Sequence, residues 1–519
     1  MTQKRSSACL SALSAASRAA VFLLGAVFAL HSTSVAQTDG STPEIVVGNG
    51  PQITPSLQNT VRPIDDLTGP LTADIVLAAS AEHAPLILEA LAKRQSAAGN
   101  VLAADGAFDL LFSVDGTDRV SGFWSGGVVN STLRQRIAPL GASVYGGYRL
   151  SDGRFPIYED ENFTNTGGEL KIGALFSLLR NRAIDDERFG RRDSRLAFRQ
   201  ADLDVLLTQV GVQHRALIAY WRWVMLGRKL SVYEKLLKIA ELRESGLEEQ
   251  VRSGARAAIF ITENRQNINR RRRLATEARR DFLAAANDLA FYYRNAAGAP
   301  TAPSADRLPA PNLGEPVLSL GLDEPADISA ALAVRPELEI LRIGLERAEG
   351  RIALGRNDLL PQLDVSTEVS RDLGDIAEGG PSRDSTDTIV GLRFSVPIQQ
   401  RKARGGLQKA EADRDALRQS RRQLQDQIEI ELRNILIDLN VSKQLVLIAE
   451  QEVDQSVTME EAERERFASG ASDFFLVNIR EETAADARIR YYAAALQTRI
   501  ARANYDAATV NTGRLGIGE

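Results

Sequence analysis

The chain is predicted to be mainly α with a small β part, built from a duplicated helix-strand-strand-helix-helix unit. Three observations predict this. Matching residues recur at a nearly constant spacing, two long proline-free stretches carry heptad seams, and short alternating segments stand at the same place in both copies.

The repeat is read directly. Gly173, Phe176 and Ser177 recur as Gly391, Phe394 and Ser395, and Gln209 and Arg215 as Gln427 and Arg433, each 218 positions on. Ser253, Gly254 and Ala255 recur as Ser469, Gly470 and Ala471, 216 positions on. Upstream the spacing widens, with Pro85 matched by Pro336 at 251 and Asp109 by Asp364 at 255, so the first copy carries 33 to 37 extra residues. The insertion falls within 115–168, where the Gly- and Tyr-rich stretch from Gly141 to Tyr148 has no counterpart. An extracellular loop, a longer barrel strand pair and a plug are all open readings for it. The expected organisation is residues 1–36 a signal peptide, 37–70 an extended segment, 71–298 the first repeat, 299–325 a linker, 326–512 the second repeat and 513–519 a tail. The linker assignment rests on six of the chain's 18 prolines falling between 300 and 325.

The start of the chain reads as an export signal. Lys4, Arg5 and Arg18 precede an apolar run from Ala19 to Leu30, and Ser34-Val35-Ala36 supplies a cleavage site after Ala36. A helix over that run rises only about 18 Å, short of a hydrocarbon core of about 30 Å. Cys9, the only cysteine, leaves with the signal, so no disulfide or thiolate metal site is expected. A lipoprotein needs a cysteine just after the apolar run, where this chain has His31 to Ala36, so the protein is read as not a lipoprotein. With 44% hydrophobic residues over 519 positions the chain is long and apolar enough to fold, and its net charge of -5 excludes a nucleic-acid footprint.

Each copy reads as helix, strand, loop, strand, long helix, helix. In the second copy, the helical pattern from Asp327 to Asp358 stops at Pro361, because proline disfavours helix in the residue before it. Leu363, Val365, Thr367 and Val369 then alternate, and Thr388 to Pro397 alternates again. The first copy has candidate strands at 107–115 and 169–178. Helices follow over about 192–253 and 401–469. Ile428, Leu432, Ile435, Leu439 and Ser442 form one coiled-coil seam, matched by Val210, His214, Leu217, Trp221 and Val224. A second stripe through Ile430, Ile437, Val441, Leu445 and Ile448 calls for a second neighbour. Gly254 and Gly470 mark the helix turns, and Pro361 and Pro397 the barrel-to-helix transitions.

Four strands of about ten residues suit a bilayer crossing, and no segment after the signal offers 18 uncharged apolar residues for a helical one. Four strands cannot close a barrel. Two chains would supply eight, which side chains nearly fill, whereas three supply twelve and leave a passage.

This arrangement resembles the TolC-type outer-membrane efflux family (outer membrane factors) over about residues 70 to 512. The best local matches are Ala333 to Glu337 (Ala-Val-Arg-Pro-Glu), Leu359 to Asp364 (Leu-Leu-Pro-Gln-Leu-Asp), Gly391 to Pro397 (Gly-Leu-Arg-Phe-Ser-Val-Pro) and Phe467 to Gly470 (Phe-Ala-Ser-Gly). The resemblance implies a homotrimer with a 12-stranded outer-membrane β-barrel, four strands per chain, joined to an α-helical periplasmic tunnel. It also implies outer-membrane lipid around the barrel, a periplasmic adaptor protein and an inner-membrane pump of the RND, ABC or MFS type, in tripartite efflux or type I secretion. The duct would be passive, without enzyme activity or cofactor. Relatives often carry acidic residues six and nine positions after the glycine matching Gly470, but here those positions are Leu476 and Ile479. Glu263, nine after Gly254, and Asp473, Glu481 and Glu482 become the candidates for the pore constriction, with Asp473 and Glu263 placed just past the turns.

Other chemistry is weak. His83 and His214 remain after signal removal, and His214 stands at a seam position that favours packing over catalysis or metal binding. Arg270 to Arg273 lies among Glu263, Glu277 and Asp281 and reads as a solvated, ion-paired face. Trp221, at a seam position, reads as core. Two rival readings are a periplasmic adaptor with a helical hairpin, which has one hairpin rather than two, and a structural coiled-coil envelope protein, which leaves the paired alternating segments unexplained.

Overall fold

The structure, a computed structural model, describes residues 69–156, 158, 162–310, 324–376 and 385–518. The expected signal peptide, nearly all of the 37–70 segment and linker residues 311–323 lie outside that range. In the first half, α1 (Ala73–His83) and α2 (Pro85–Asp105) lead into β1 (Leu111–Asp118), β2 (Ser125–Ile137), β3 (Ala142–Arg154) and β4 (Glu169–Ser177). The helices α3 (Asp186–Arg252) and α4 (Ile259–Ala290) follow. The second half repeats the scheme with α5 (Glu324–Val334), α6 (Pro336–Asp358), β5 (Gln362–Asp372), β6 (Thr386–Ser395), α7 (Arg401–Ala468) and α8 (Phe474–Ala508).

Local chemistry sets the breaks. Pro85 and Pro336 open α2 and α6 at the first helical turn, where the missing N–H costs nothing, after an extended Ala84 or Arg335. The stretch from Ala73 to Phe108 is long and apolar enough to cross a membrane by length and composition. It is instead two helices packed along α3, with Val76, Leu77 and Ile87 buried. The helices α3 and α7, of 67 and 68 residues, each extend about 100 Å. They fold back on α4 and α8 as antiparallel pairs, and α3 also packs on α8. The largest core cluster lies where α3, α4 and α8 meet α1 and the C-terminal Leu515 and Ile517. Trp223 is fully buried there and stacks on Phe282 with centroids 5.9 Å apart.

The two seams expected on α7 separate sharply. Ile428, Leu432, Ile435, Leu439 and Ser442 are all buried. The second stripe is uncovered, with Ile437 59% exposed and Ile430, Val441, Leu445 and Ile448 similarly open.

The sheet corrects the strand count. Four strands per chain were expected, but β1 to β6 form one antiparallel sheet in sequence order, so the insertion is itself the hairpin β2–β3. The first expected strand also begins later, because Gly106–Phe108 is a short 3-10 turn. The reason for the miss is compositional. Val129, Leu133 and Ile137 do alternate, but Gly126, Gly127, Gly146, Gly147 and Gly153 dilute the pattern. The hairpin is anchored where it meets the helices: Arg188 of α3 donates to the carbonyls of Ala138 and Arg182 at 3.2 and 2.9 Å and to that of Asn181.

Candidate functional site

Side chains alternate across a strand and register partners share a face, so the strand register sorts the sheet into two surfaces. One carries Phe112 and Val114 of β1, Val129 and Leu133 of β2, Val144 and Leu150 of β3, and Leu170, Ile172 and Phe176 of β4. It continues through Val365 and Val369 of β5 to Val390, Leu392 and Phe394 of β6. This face is uncovered, with Ile172 66% and Leu392 71% exposed. Its polar mid-strand members are satisfied locally. Ser131 donates to the Tyr148 carbonyl at 3.1 Å and Gln135 to that of Phe108 at 2.5 Å.

The opposite face is polar. It carries Ser113, Asp115, Asn130, Thr132, Arg134, Arg149, Lys171, Glu169, Asp364, Glu368, Asp387 and Arg393. Its groups bond sideways. The Tyr145 hydroxyl donates to Glu368 at 2.5 Å, Ser177 and Gln362 donate to Asp364 at 2.9 and 2.6 Å, and Arg149 pairs with Glu169 at 3.4 Å. Gly173 makes the first contact possible, since a Cβ there would stand 2.4 Å from the Tyr145 ring. Among the described residues β1 and β6 each pair with a single strand, which leaves two open edges.

At the far end of the helices, both turns are built the same way. The Ala255 N–H donates to the Gln250 carbonyl and the Ala471 N–H to that of Arg466, each at 2.8 Å, with Gly254 and Gly470 both at φ +77°. This is a Schellman termination, whose left-handed residue favours glycine. Arg256, just past the first turn, lies 4.8 Å from the Phe467 ring centroid, so the turns sit together. Pro361 stands between α6 and β5, and Pro397 between β6 and α7.

The four acidic candidates fall into different environments. Asp473 is exposed and caps α8, accepting from the Leu476 N–H at 2.7 Å. Glu263 is half-buried on α4. Glu481 is 0% exposed, held by Arg271 and Arg464 at 3.1 and 3.2 Å and by Arg243, and Glu482 pairs with Arg270. Asn478 completes the cluster by accepting from Arg243 at 2.9 Å and from Arg271 at 3.3 Å.

The basic run therefore departs from the solvated face expected for it. Arg272 and Arg273 do pair at the surface with Glu241 and Glu277, but Arg271 is 1% exposed. Burial pulls its guanidinium below the ordinary arginine value, and Glu481 opposes that shift. No sequence signal separates Arg271 from its neighbours except its three-residue spacing from the buried Ile268. His214 bonds Asn504 at 2.7 Å, and Trp221 is half-buried under Arg499, whereas the fully buried tryptophan is Trp223. Among the described residues no group of three His, Cys, Asp or Glu side chains is placed to hold a metal.

Residues 328–509 match the family model of the outer membrane efflux protein. No curated protein matches the chain. Solved structures that share the fold include the open-state MtrE outer membrane channel of Neisseria gonorrhoeae, at 14% identity and TM-score 0.59 over 84% of this chain and 88% of that one. The outer membrane protein VceC of Vibrio cholerae matches at 14% identity and TM-score 0.58, over 84% and 95%. The CmeC outer membrane channel of Campylobacter jejuni matches at 16% and 0.56, over 84% and 85%.

Proposed function

Residues 328–509 match the outer membrane efflux protein model, and we propose that this chain is a member of that family, three copies of which form one passive duct through the outer membrane and periplasm. The observation that carries the proposal is the six-stranded sheet, apolar and uncovered on one face, polar on the other and open at both edges. Lipid tolerates no open edge, so copies join β6 to β1 until the wall closes. The apolar face meets lipid and the polar face lines the lumen.

The strand count alone no longer selects the number of copies, since two sheets of six also leave a passage. Three is the number that the family resemblance implies, and it makes the wall eighteen strands rather than twelve. The uncovered stripe on α7 supports a neighbouring copy along the tunnel, because an exposed apolar row of that length is otherwise unfavourable. The long helices form the periplasmic tunnel, which receives substrate from an inner-membrane pump through an adaptor. Residues 1–36 export the chain. Asp473 and Glu263 line the closed periplasmic end, whereas Glu481 holds the helices together.

Membrane fractionation with crosslinking tests the assembly. An outer-membrane trimer is expected, and a soluble periplasmic monomer would overturn the duct. Planar-bilayer conductance then tests the gate: neutralising both Asp473 and Glu263 lowers cation preference, and an unchanged preference removes them from the pore lining.

A further inference from the structure

Two uncovered apolar rows stand on helices at opposite ends of the packing order. Within one copy α2 packs on α3, α3 on α6 and α6 on α7. On α7 the stripe from Ile430 to Ile448 faces away from the core. Ile430 and Ile437 each stand two positions, about 200° round the helix, from the buried Leu432 and Leu439. On α2, Ile87 is buried against Val212 of α3, while Leu88, Leu91 and Leu102 are 49%, 42% and 75% exposed. These three leucines fall within about 60° of one another round the helix, so they form one row on its flank. Glu89 and Lys93, paired at 2.6 Å, hold the other flank. The stretch from Ala73 to Phe108 is apolar enough for a bilayer, yet only 33% of its most apolar window is buried. It therefore carries more apolar surface than its own copy covers.

The rows also share a height. Ile87 meets Val212 of α3, His214 of α3 bonds Asn504 of α8, and Ala508 of α8 packs with Leu432 and Ile435 of α7. This chain of contacts brings Leu88 level with the part of α7 that carries the stripe. Connectivity points the same way, because α2 leads into β1, β6 leads into α7, and β1 and β6 are the two open edges of the sheet. Where β6 of one copy meets β1 of the next, the helices attached to those strands come side by side. Resting on the duct reading, we propose that the α7 stripe of one copy packs antiparallel against the leucine row on α2 of the next. The joint between copies then runs unbroken from the wall into the tunnel, and aliphatic rows at this spacing suit a two-helix seam. It ends below Ile448, where the next positions of the row are Glu452 and Gln455 and Glu452 is already paired with Arg490 of α8 at 2.6 Å.

The test uses the full chain in the membrane of cells that produce it, with photoreactive benzoylphenylalanine in place of Leu445 or, separately, Ile437. Linked products are sized on a denaturing gel and mapped by mass spectrometry. Both probes should give a product of two copies, joined through α2 of the second. The same probe at Lys93, on the polar flank of α2, should give at least tenfold less product with α7. Leu91→Asp, and separately Leu88→Asp, sets a charge in the row without touching the core and should cut the Leu445 product about tenfold or more, because a charge resists burial. Links from Leu445 and Ile437 within one copy, to another segment or to a different protein overturn the pairing. So does an undiminished product in both aspartate variants. Failure to recover the parent chain as an outer-membrane oligomer would overturn the duct reading instead, whereas an oligomer linked elsewhere leaves the duct standing and removes only this joint.

Discussion

Glu481→Gln isolates the buried charge cluster where α3, α4, α7 and α8 meet. The native carboxylate faces Arg271 at 3.1 Å and Arg464 at 3.2 Å, with Arg243 also in contact and none of its own surface in water. At an effective dielectric of 20, a single pair at that distance is worth about 5 kcal/mol before desolvation. Glutamine keeps the shape but removes the charge that Arg243 and Arg271 share, leaving Glu482 at 3.8 Å from Arg271 and Glu460 at 2.7 Å from Arg464, and breaking a buried pair in this way costs about 3–5 kcal/mol. The loss is local to the helix pairs, so native-state hydrogen exchange at α4 and α8 amides near Asn264 and Asn478 is the measurement. Exchange should accelerate by roughly 10² to 10³. An acceleration below about fivefold would mean that the cluster is solvated and worth no more than a surface pair. A change in cation preference without a change in exchange would return Glu481 to the pore lining.

Three more outcomes follow from the same geometry. Leu392→Arg on the apolar face should cost about 2–4 kcal/mol near the bilayer midplane, read as loss of heat-stable oligomer, while Thr132→Arg on the polar face should not. Gly470→Ala forces a side chain into φ +77° and should lower stability by about 1 kcal/mol in chemical unfolding, with Gly254→Ala behaving alike. Glu346 is held below the usual carboxylate range, mainly by its hydrogen bond to Arg192 at 2.9 Å. Its folded value lies below the unfolded 4.5, so this link between α6 and α3 is complete above about that pH and is lost as pH falls through the folded value. Glu346→Gln should flatten the acid limb of a thermal-stability profile, by at most about 1 kcal/mol for a pair this exposed.

Local and periodic features were legible in the sequence. The duplication fixed where helices recur, the prolines where they stop, and the glycines where they turn, because each of these constraints acts within a few residues of the backbone. The buried seam through Leu432 and Leu439 was readable for the same reason: heptad spacing states which residues share a face. The strands β5 and β6 carry enough β-branched and aromatic residues to alternate visibly, whereas β2 and β3, with five glycines between them, become strands only by pairing with β1 and β4.

What only the tertiary structure decided is the neighbour on each face. Arg271 and Arg272 are adjacent in sequence and chemically identical, yet one is buried on Glu481, 210 positions away, and the other stays at the surface with Glu241. Periodicity can orient a side chain but carries no record of which distant helix arrives to cover it. The same holds for Phe155, whose burial depends on a strand folding back to bring Gly126 beneath its ring. The sequence by itself determined the elements and their duplication. Long-range packing determined the number of strands in the wall, which charges are solvated, and what lies over the polar face, because those depend on contacts between segments far apart in the chain.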